Sequence, residues 1–394
     1  MKKFRFITII LIAALAFAFV ACNRGNSRNS SAESTEAELQ AALEAIQQMT
    51  GVGANAPTSN TPAPASTPTT TPAPAPTAAP VSGPTAWTAV ADSPFANAID
   101  AIAWGNNRFV AGDWDGKMAY SADGAAWTAV VDSTFGYSVI NDIAYGMDAE
   151  GNGRFVAVGM SGKIAYSADG ESWTAGDATG AFGTTNIYSV AWGNNRWVAG
   201  DAEGKMAYSA DGAAWTAVAD STFDMYVYIY DIAYANGRFV AGALSGQIAY
   251  SDDNGVTWTA VADSKFGNSG IDAIAYGNGR FVAVGTDGKM AYSVDGASWT
   301  AVPQANNGGF SSRFWGIAFG SAGNAGGRFV AGGDNGSMAY SADGASWAAV
   351  GEGILGTYTT LMGNRATADI SAVAYGNGRF VAVGQGGNIA YADW

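Results

Sequence analysis

Between residues 271 and 302 the chain reads IDAIAYGNGRFVAVGTDGKMAYSVDGASWTAV, four apolar runs separated by breaks rich in Gly, Asn and Asp. The runs IDAIAY, GRFVAVG, KMAYS and WTAV have strand length, carry Ile, Val, Phe, Tyr and Trp, and place apolar side chains on both faces. Gly-Asn-Gly, Thr-Asp-Gly and Val-Asp-Gly lie between them, and these residues accept the positive φ that tight hairpin turns require. The pattern predicts a four-stranded antiparallel unit that cannot bury either face alone. Near-copies start at Ile99, Ile140, Ile187, Ile229, Ile271, Phe314 and Ile370, and fill the chain after Trp87. Each contains an Arg-aromatic-Val-Ala strand, with Phe109, Phe155, Trp197, Phe239, Phe281, Phe329 and Phe380 as its aromatics. A four-stranded unit repeated every forty-odd residues, covered on both faces by its neighbours, predicts a β-propeller.

The ends of the array set the number of blades. The last copy stops at Trp394 after three strands and lacks its WTAV run, while an unpaired Trp87-Thr-Ala-Val90 stands before the first copy. Complete outer strands follow at Trp127, Trp173, Trp215, Trp258, Trp299 and Trp347. The fold expected is therefore all-β: a seven-bladed propeller of four-stranded blades over residues 85–394, closed by its N-terminal strand. Closure removes the exposed sheet edges that an open repeat solenoid, the alternative, would present.

At the third turn, Ser251-Asp-Asp253-Asn-Gly255-Val-Thr-Trp258 resembles the Asp-box, or BNR, repeat family, whose pattern is S-x-D-x-G-x-T-W. The other copies, such as Ser293-Val-Asp295-Gly296-Ala-Ser-Trp299, are one residue shorter. The resemblance covers about three-quarters of the chain. Sialidases, photosystem-assembly propellers and many bacterial surface proteins share such repeats, in which the box is structural. It implies structural, non-catalytic roles for Asp123, Asp169, Asp211, Asp253, Asp295 and Asp343. The physics agrees, since an Asp in a tight turn accepts backbone N–H bonds.

Composition narrows the chemistry. The chain has no histidine and one cysteine, so it offers no Ser-His-Asp or Cys-His nucleophile, no Cys/His zinc site and no internal disulfide. A formal charge of −14 argues against nucleic acid as a partner. A sialidase-like site would need three converging arginines, but Arg108, Arg154, Arg196, Arg238, Arg280, Arg328 and Arg379 repeat once per blade at one position. Asp113-Trp-Asp115-Gly116 and Asp252-Asp253-Asn254-Gly255 lack full calcium-loop spacing, and turn-forming Asp-Gly accounts for both. No enzyme, metal or cofactor is expected.

The N-terminus predicts a location. Lys2, Lys3 and Arg5 precede an apolar run, 6–21, too short for a comfortable membrane span. It ends Phe19-Val20-Ala21-Cys22, which resembles a bacterial lipobox. The resemblance implies a signal peptide over 1–21 and a lipid on Cys22, the chain's one cysteine, anchoring the protein to a membrane. Residues 22–53 read as a tether with a short helix over 35–49, where Thr35 and Glu38 have capping-box spacing. Residues 54–84 carry most of the 11 prolines and read as a stalk. At roughly 3 Å per residue the stalk reaches on the order of 80 Å from the lipid.

Comparison of the copies with one another locates a candidate ligand surface. The second residue of the innermost strand runs Asp100, Asn141, Tyr188, Tyr230, Asp272, Trp315 and Ser371 against a nearly constant background. It should ring the mouth of the central channel. The turns between second and third strands add Trp114, Met160, Leu244, Asp334 and Gln385 on the same side. Aromatics mixed with carboxylates suit a peptide, a cationic side chain or a sugar. The function expected is a non-enzymatic protein-binding or scaffold module of the cell envelope or surface, as a propeller monomer. A glycan-binding surface protein is the alternative, and a sialidase-like glycosidase a more distant one.

Overall fold

The computed structural model describes residues 86–147, 152–321, 326–351, 353–360 and 362–394. The signal peptide, Cys22, the 35–49 helix and the stalk up to residue 84 lie outside the described residues. The rest is a seven-bladed propeller of four-stranded antiparallel sheets. Blade 1 comprises Ile99–Gly105, Arg108–Asp113, Met118–Ser121 and Thr128–Ala129, from channel to rim. Blades 2 to 6 follow, with innermost strands Ile140–Met147, Ile187–Gly193, Ile229–Ala235, Ile271–Gly277 and Phe314–Ser321. Blade 7 takes three strands from the C-terminus, and its fourth is Thr88–Ala89, which pairs with Ile389–Asp393. The ring is closed by the N-terminal strand.

The repeated residues account for the packing. Phe109, Phe155, Trp197, Phe239, Phe281, Phe329 and Phe380 are fully buried, and each faces an aromatic of its own innermost strand, as Trp104 faces Phe109 at 4.5 Å. Tyr145, Trp192, Tyr234, Tyr276, Phe319 and Tyr375 take the same place. The residue after this aromatic is Gly105, Gly146, Gly193, Gly277, Gly320 or Gly376, with Ala235 only in blade 4. These glycines leave room for the next blade. A Cβ on Gly146 would stand 2.0 Å from Cγ of Trp192, and one on Gly376 would stand 2.0 Å from Trp104. The contact runs past the closing junction, because Gly376 lies in the last blade and Trp104 in the first.

In six blades the outer strand is two residues, shorter than the WTAV run, and in blade 6 it is Ala348–Gly351. Trp127 turns its indole back to donate to Gly124 O at 3.0 Å, which leaves Thr128–Ala129 in the ladder. Among the described residues, three elements in the connections have no counterpart in the repeat pattern, one of them a single 3-10 turn, Gln304–Asn306, between blades 5 and 6. Thr179–Phe182 forms one helical turn between blades 2 and 3. Thr357–Thr359 and Arg365–Thr367 form a hairpin between blades 6 and 7.

In every blade the first residue of the turn between second and third strands donates its N–H to the residue preceding the innermost strand. Trp114 to Ala98, Met160 to Val139, Asp334 to Arg313 and Gln385 to Asp369 are examples, at 3.0–3.1 Å. These turns and the blade-to-blade connections therefore share one face of the disc, where the channel opens.

Candidate binding site at the channel mouth

The seven variable positions have a common backbone origin. Register shifts between Ile99 and Ala101, leaving Asp100 as the extra residue of a β-bulge. The same shift recurs around Asn141, Tyr188, Tyr230, Asp272, Trp315 and Ser371. A bulge releases one residue from the alternation of the strand and re-aims its side chain. All seven residues line a cavity of about 210 Å³ at the mouth, together with Ala98, Trp114, Asp369 and Gln385. Met160, Leu244 and Asp334 occupy equivalent turns but do not line it. A deeper space of about 290 Å³ continues down the channel.

One side of the mouth is aromatic. Tyr188 stacks on Tyr228 with centroids 5.2 Å apart, and Tyr230 meets Tyr188 edge-on at 5.5 Å. Burial among these rings raises the phenol pKa of Tyr188 and of Tyr230. Beside them Arg313 forms a two-pronged bond to the buried Asp272, with Nε 2.8 Å from Oδ2. Its guanidinium lies 3.5 Å over the Trp315 ring. Trp315 Nε1 in turn donates to Asp334 Oδ1 at 2.7 Å. Burial pushes the Asp272 carboxyl up, and Arg313 opposes the shift.

On the other side Trp114 Nε1 donates to Asp100 Oδ2 at 2.5 Å. Burial raises Asp100, against the bonds from Trp114 and Ser371. Asn141 donates from Nδ2 to Ile187 O at 2.8 Å, tying blade 2 to blade 3.

Asp142 and Asp231 line the deeper channel, one residue beyond the bulge. Each joins its blade to the next. Asp142 accepts N–H bonds from Ile143 and from Val190, and Asp231 from Ile232 and Ile274, at 2.6–2.8 Å. Both residues are half-buried in the channel wall. Burial, with repulsion from Asp231, raises Asp142 to about 7, and burial raises Asp231 to about 6. These two were missed in the sequence, although the third residue of the innermost strand is Ala, Ser or Gly in the other blades.

The six box aspartates lie on the opposite face, away from the mouth. Asp123 Oδ1 accepts from Ala125 N, Ala126 N and the Ser121 hydroxyl at 2.8–3.1 Å, and the other five repeat the arrangement. The N–H bond from Ala126 is the main cause that holds Asp123 below the usual carboxylate range. Six of the seven repeated arginines stack on strand-three tyrosines, as Arg154 does on Tyr166 at 4.7 Å, while Arg328 lies over Trp394 at 5.2 Å. Arg154 also donates to Asp211 O of the next blade, and Arg238 to Asp295 O. Asp113 Oδ1 is occupied by its own turn, accepting from Asp115 N and Lys117 N. Among the described residues, no group of three His, Cys, Asp or Glu side chains is placed to hold a metal ion.

No protein-family model matches the sequence, and no characterised protein matches it as a sequence relative. Solved structures do resemble the fold. YCF48 bound to D1 peptide is 14% identical with a TM-score of 0.56, covering 79% of this chain and 98% of that chain. YCF48 from Cyanidioschyzon merolae is 15% identical with a TM-score of 0.57, over 78% and 99%. The computationally designed Ika8 protein is 14% identical with a TM-score of 0.51, over 76% and 97%. At such identities the likeness concerns the fold alone.

Proposed function

We propose that this chain is a lipid-anchored, extracytoplasmic binding module that holds a polypeptide partner at the channel mouth and catalyses no reaction. The observation that carries this reading is where the exposed apolar surface lies. Among the described residues, Trp114, Val131, Tyr137, Met225, Tyr226, Leu244 and Met362 are exposed in the turns and connections of the mouth's face. Only Met147, Val256 and Val294 are comparably exposed at the turns of the other face. Large apolar side chains gathered at one end of a rigid frame mark an interaction surface. The mouth cavity, about 210 Å³, falls below the roughly 300–1,000 Å³ of pockets that enclose whole small ligands. It suits a side chain inserted from a partner lying across the face.

One fold neighbour, YCF48, is seen with a D1 peptide bound, which is in keeping with a polypeptide ligand for such a frame. The Lys2, Lys3, Arg5 and apolar run ahead of Cys22 support the anchor, and the Pro-rich 54–84 stretch supports a stalk. The test is an affinity pull-down from detergent-solubilised envelope, using the full chain and a Tyr188→Ala, Tyr230→Ala, Trp315→Ala variant whose melting is checked. A polypeptide retained by the parent and lost by the folded variant is the expected outcome. Equal retention by both would move the site elsewhere. Empty baits together with glycan-array binding would replace the polypeptide with a sugar.

A further inference from the structure

Two blades carry the same aromatic–carboxylate pair with its members exchanged. In blade 1 the bulge supplies Asp100 and the following turn supplies Trp114. In blade 6 the bulge supplies Trp315 and the turn supplies Asp334. Each indole N–H donates to its carboxylate, at 2.5 and 2.7 Å. The pairs differ in what lies against them. Blade 6 brings its own cation: Arg313, which precedes the innermost strand, stacks its guanidinium 3.5 Å over Trp315. The equivalent residue in blade 1 is Ala98, which lines the mouth cavity with no charge to offer. Trp114 is left 54% exposed.

Charge points the same way. The cavity lining contains Asp100, Asp272 and Asp369 and no basic residue, and Arg313 already neutralises Asp272. Blade 1 is thus an aromatic–carboxylate pair open to the cavity, and in blade 6 the indole of the matching pair carries a guanidinium whose charge is met by Asp272 of blade 5.

We propose that the Trp114–Asp100 pair receives an arginine side chain of the partner, its guanidinium on the indole and its charge balanced by Asp100 with Asp369 nearby. The inference rests on the mouth being the partner site and names the group that enters it. A planar guanidinium stacks on an aromatic face and reaches a carboxylate at once, which a lysine ammonium does less well.

The test uses the full chain labelled with ¹⁵N at its tryptophan indoles, the Trp114 signal being assigned from a Trp114→Phe variant. The probes are N-acetyl-arginine methylamide and its neutral isostere, N-acetyl-citrulline methylamide. The arginine probe should shift the Trp114 signal saturably, with the citrulline probe about tenfold weaker or more. Asp100→Asn retains an oxygen acceptor for the indole, so the fold should persist while arginine affinity falls by a similar factor. Equal shifts by both probes, no saturable shift, or undiminished affinity in Asp100→Asn would overturn the proposal. If a polypeptide is still captured by a Trp114→Ala variant, the mouth remains the partner site and the arginine seat alone fails. If arginine saturates Trp114 while no polypeptide is captured, the seat stands and the polypeptide reading fails.

Discussion

Arg379 of the last blade donates from Nη1 to the backbone carbonyl of Asp123 in the first, 2.5 Å away and 256 residues distant in sequence. Arg154 and Asp211, and Arg238 and Asp295, make the same link between consecutive blades. The closing junction thus reuses the chemistry of the interior ones. Arg379 also covers Tyr391 at 4.2 Å and pairs with Asp393. Arg379→Ala should lower stability by about 1–3 kcal/mol, the range for a hydrogen bond to a charged group and its lost partner. Arg238→Ala should cost about the same, and chemical denaturation of both variants checks it. A negligible effect for Arg379 alone would mean that the ring closes by other contacts.

Gly146 and its equivalents let consecutive blades approach closely. Gly146→Ala places a methyl group inside Trp192 and should destabilise by about 1–3 kcal/mol or more through overpacking. Ala235→Gly in blade 4, which removes a methyl group where the native junction already accommodates one, should cost about 1 kcal/mol or less. Thermal melting of the two variants separates the cases. Equal losses would argue against close approach as the reason for the glycines.

Stability should peak in mildly acidic solution. Asp142 and Asp231 have folded pKa values of about 7 and about 6, above their ordinary 3.8, so the folded chain binds their protons more tightly than the unfolded chain. Their contribution is fully present below the unfolded value and is lost as pH rises through about 4 to 7. The box carboxyls, held low, act in the opposite sense: their contribution is lost as pH falls below the ordinary range. The melting temperature should rise from pH 8 to about 5 and fall below about 4. In Asp142→Asn, Asp231→Asn the rise between pH 8 and 5 should flatten. An unchanged slope in that variant would assign the rise to the net charge of the whole chain instead.

The box geometry predicts a local loss. Asp169→Ala removes the acceptor for Glu171 N, Ser172 N and the Ser167 hydroxyl. The cost should be about 1 kcal/mol, as for loss of a capping side chain, with hydrogen exchange accelerated at Glu171 and Ser172. Unchanged protection of those amides would deny the carboxylate its structural role.

Much of this was legible in the sequence because each blade repeats the same solution. Seven Arg-aromatic strands, an orphan WTAV run before the array and a missing one after it suffice for the blade count and for closure. The variable second residue of the innermost strand also stood out, but the bulge behind it did not, since register is set by pairing with the next strand. Contacts between blades left no local pattern, as with Arg313 and Asp272 or Asp142 and Val190 N. The hairpin 357–367 was hidden in a long connection, although Tyr358 stands there against the blade 7 turn, its Cβ 2.4 Å from where a Cβ on Gly386 would be.

The central claim is that the mouth's face holds a polypeptide. The most direct measurement is photo-crosslinking in intact cells, with p-benzoylphenylalanine in place of Tyr188 at the mouth or of Val294 on the opposite face. The account predicts a discrete crosslinked polypeptide from position 188 and none from position 294. Crosslinks from 294 alone, or equally from both, would contradict it.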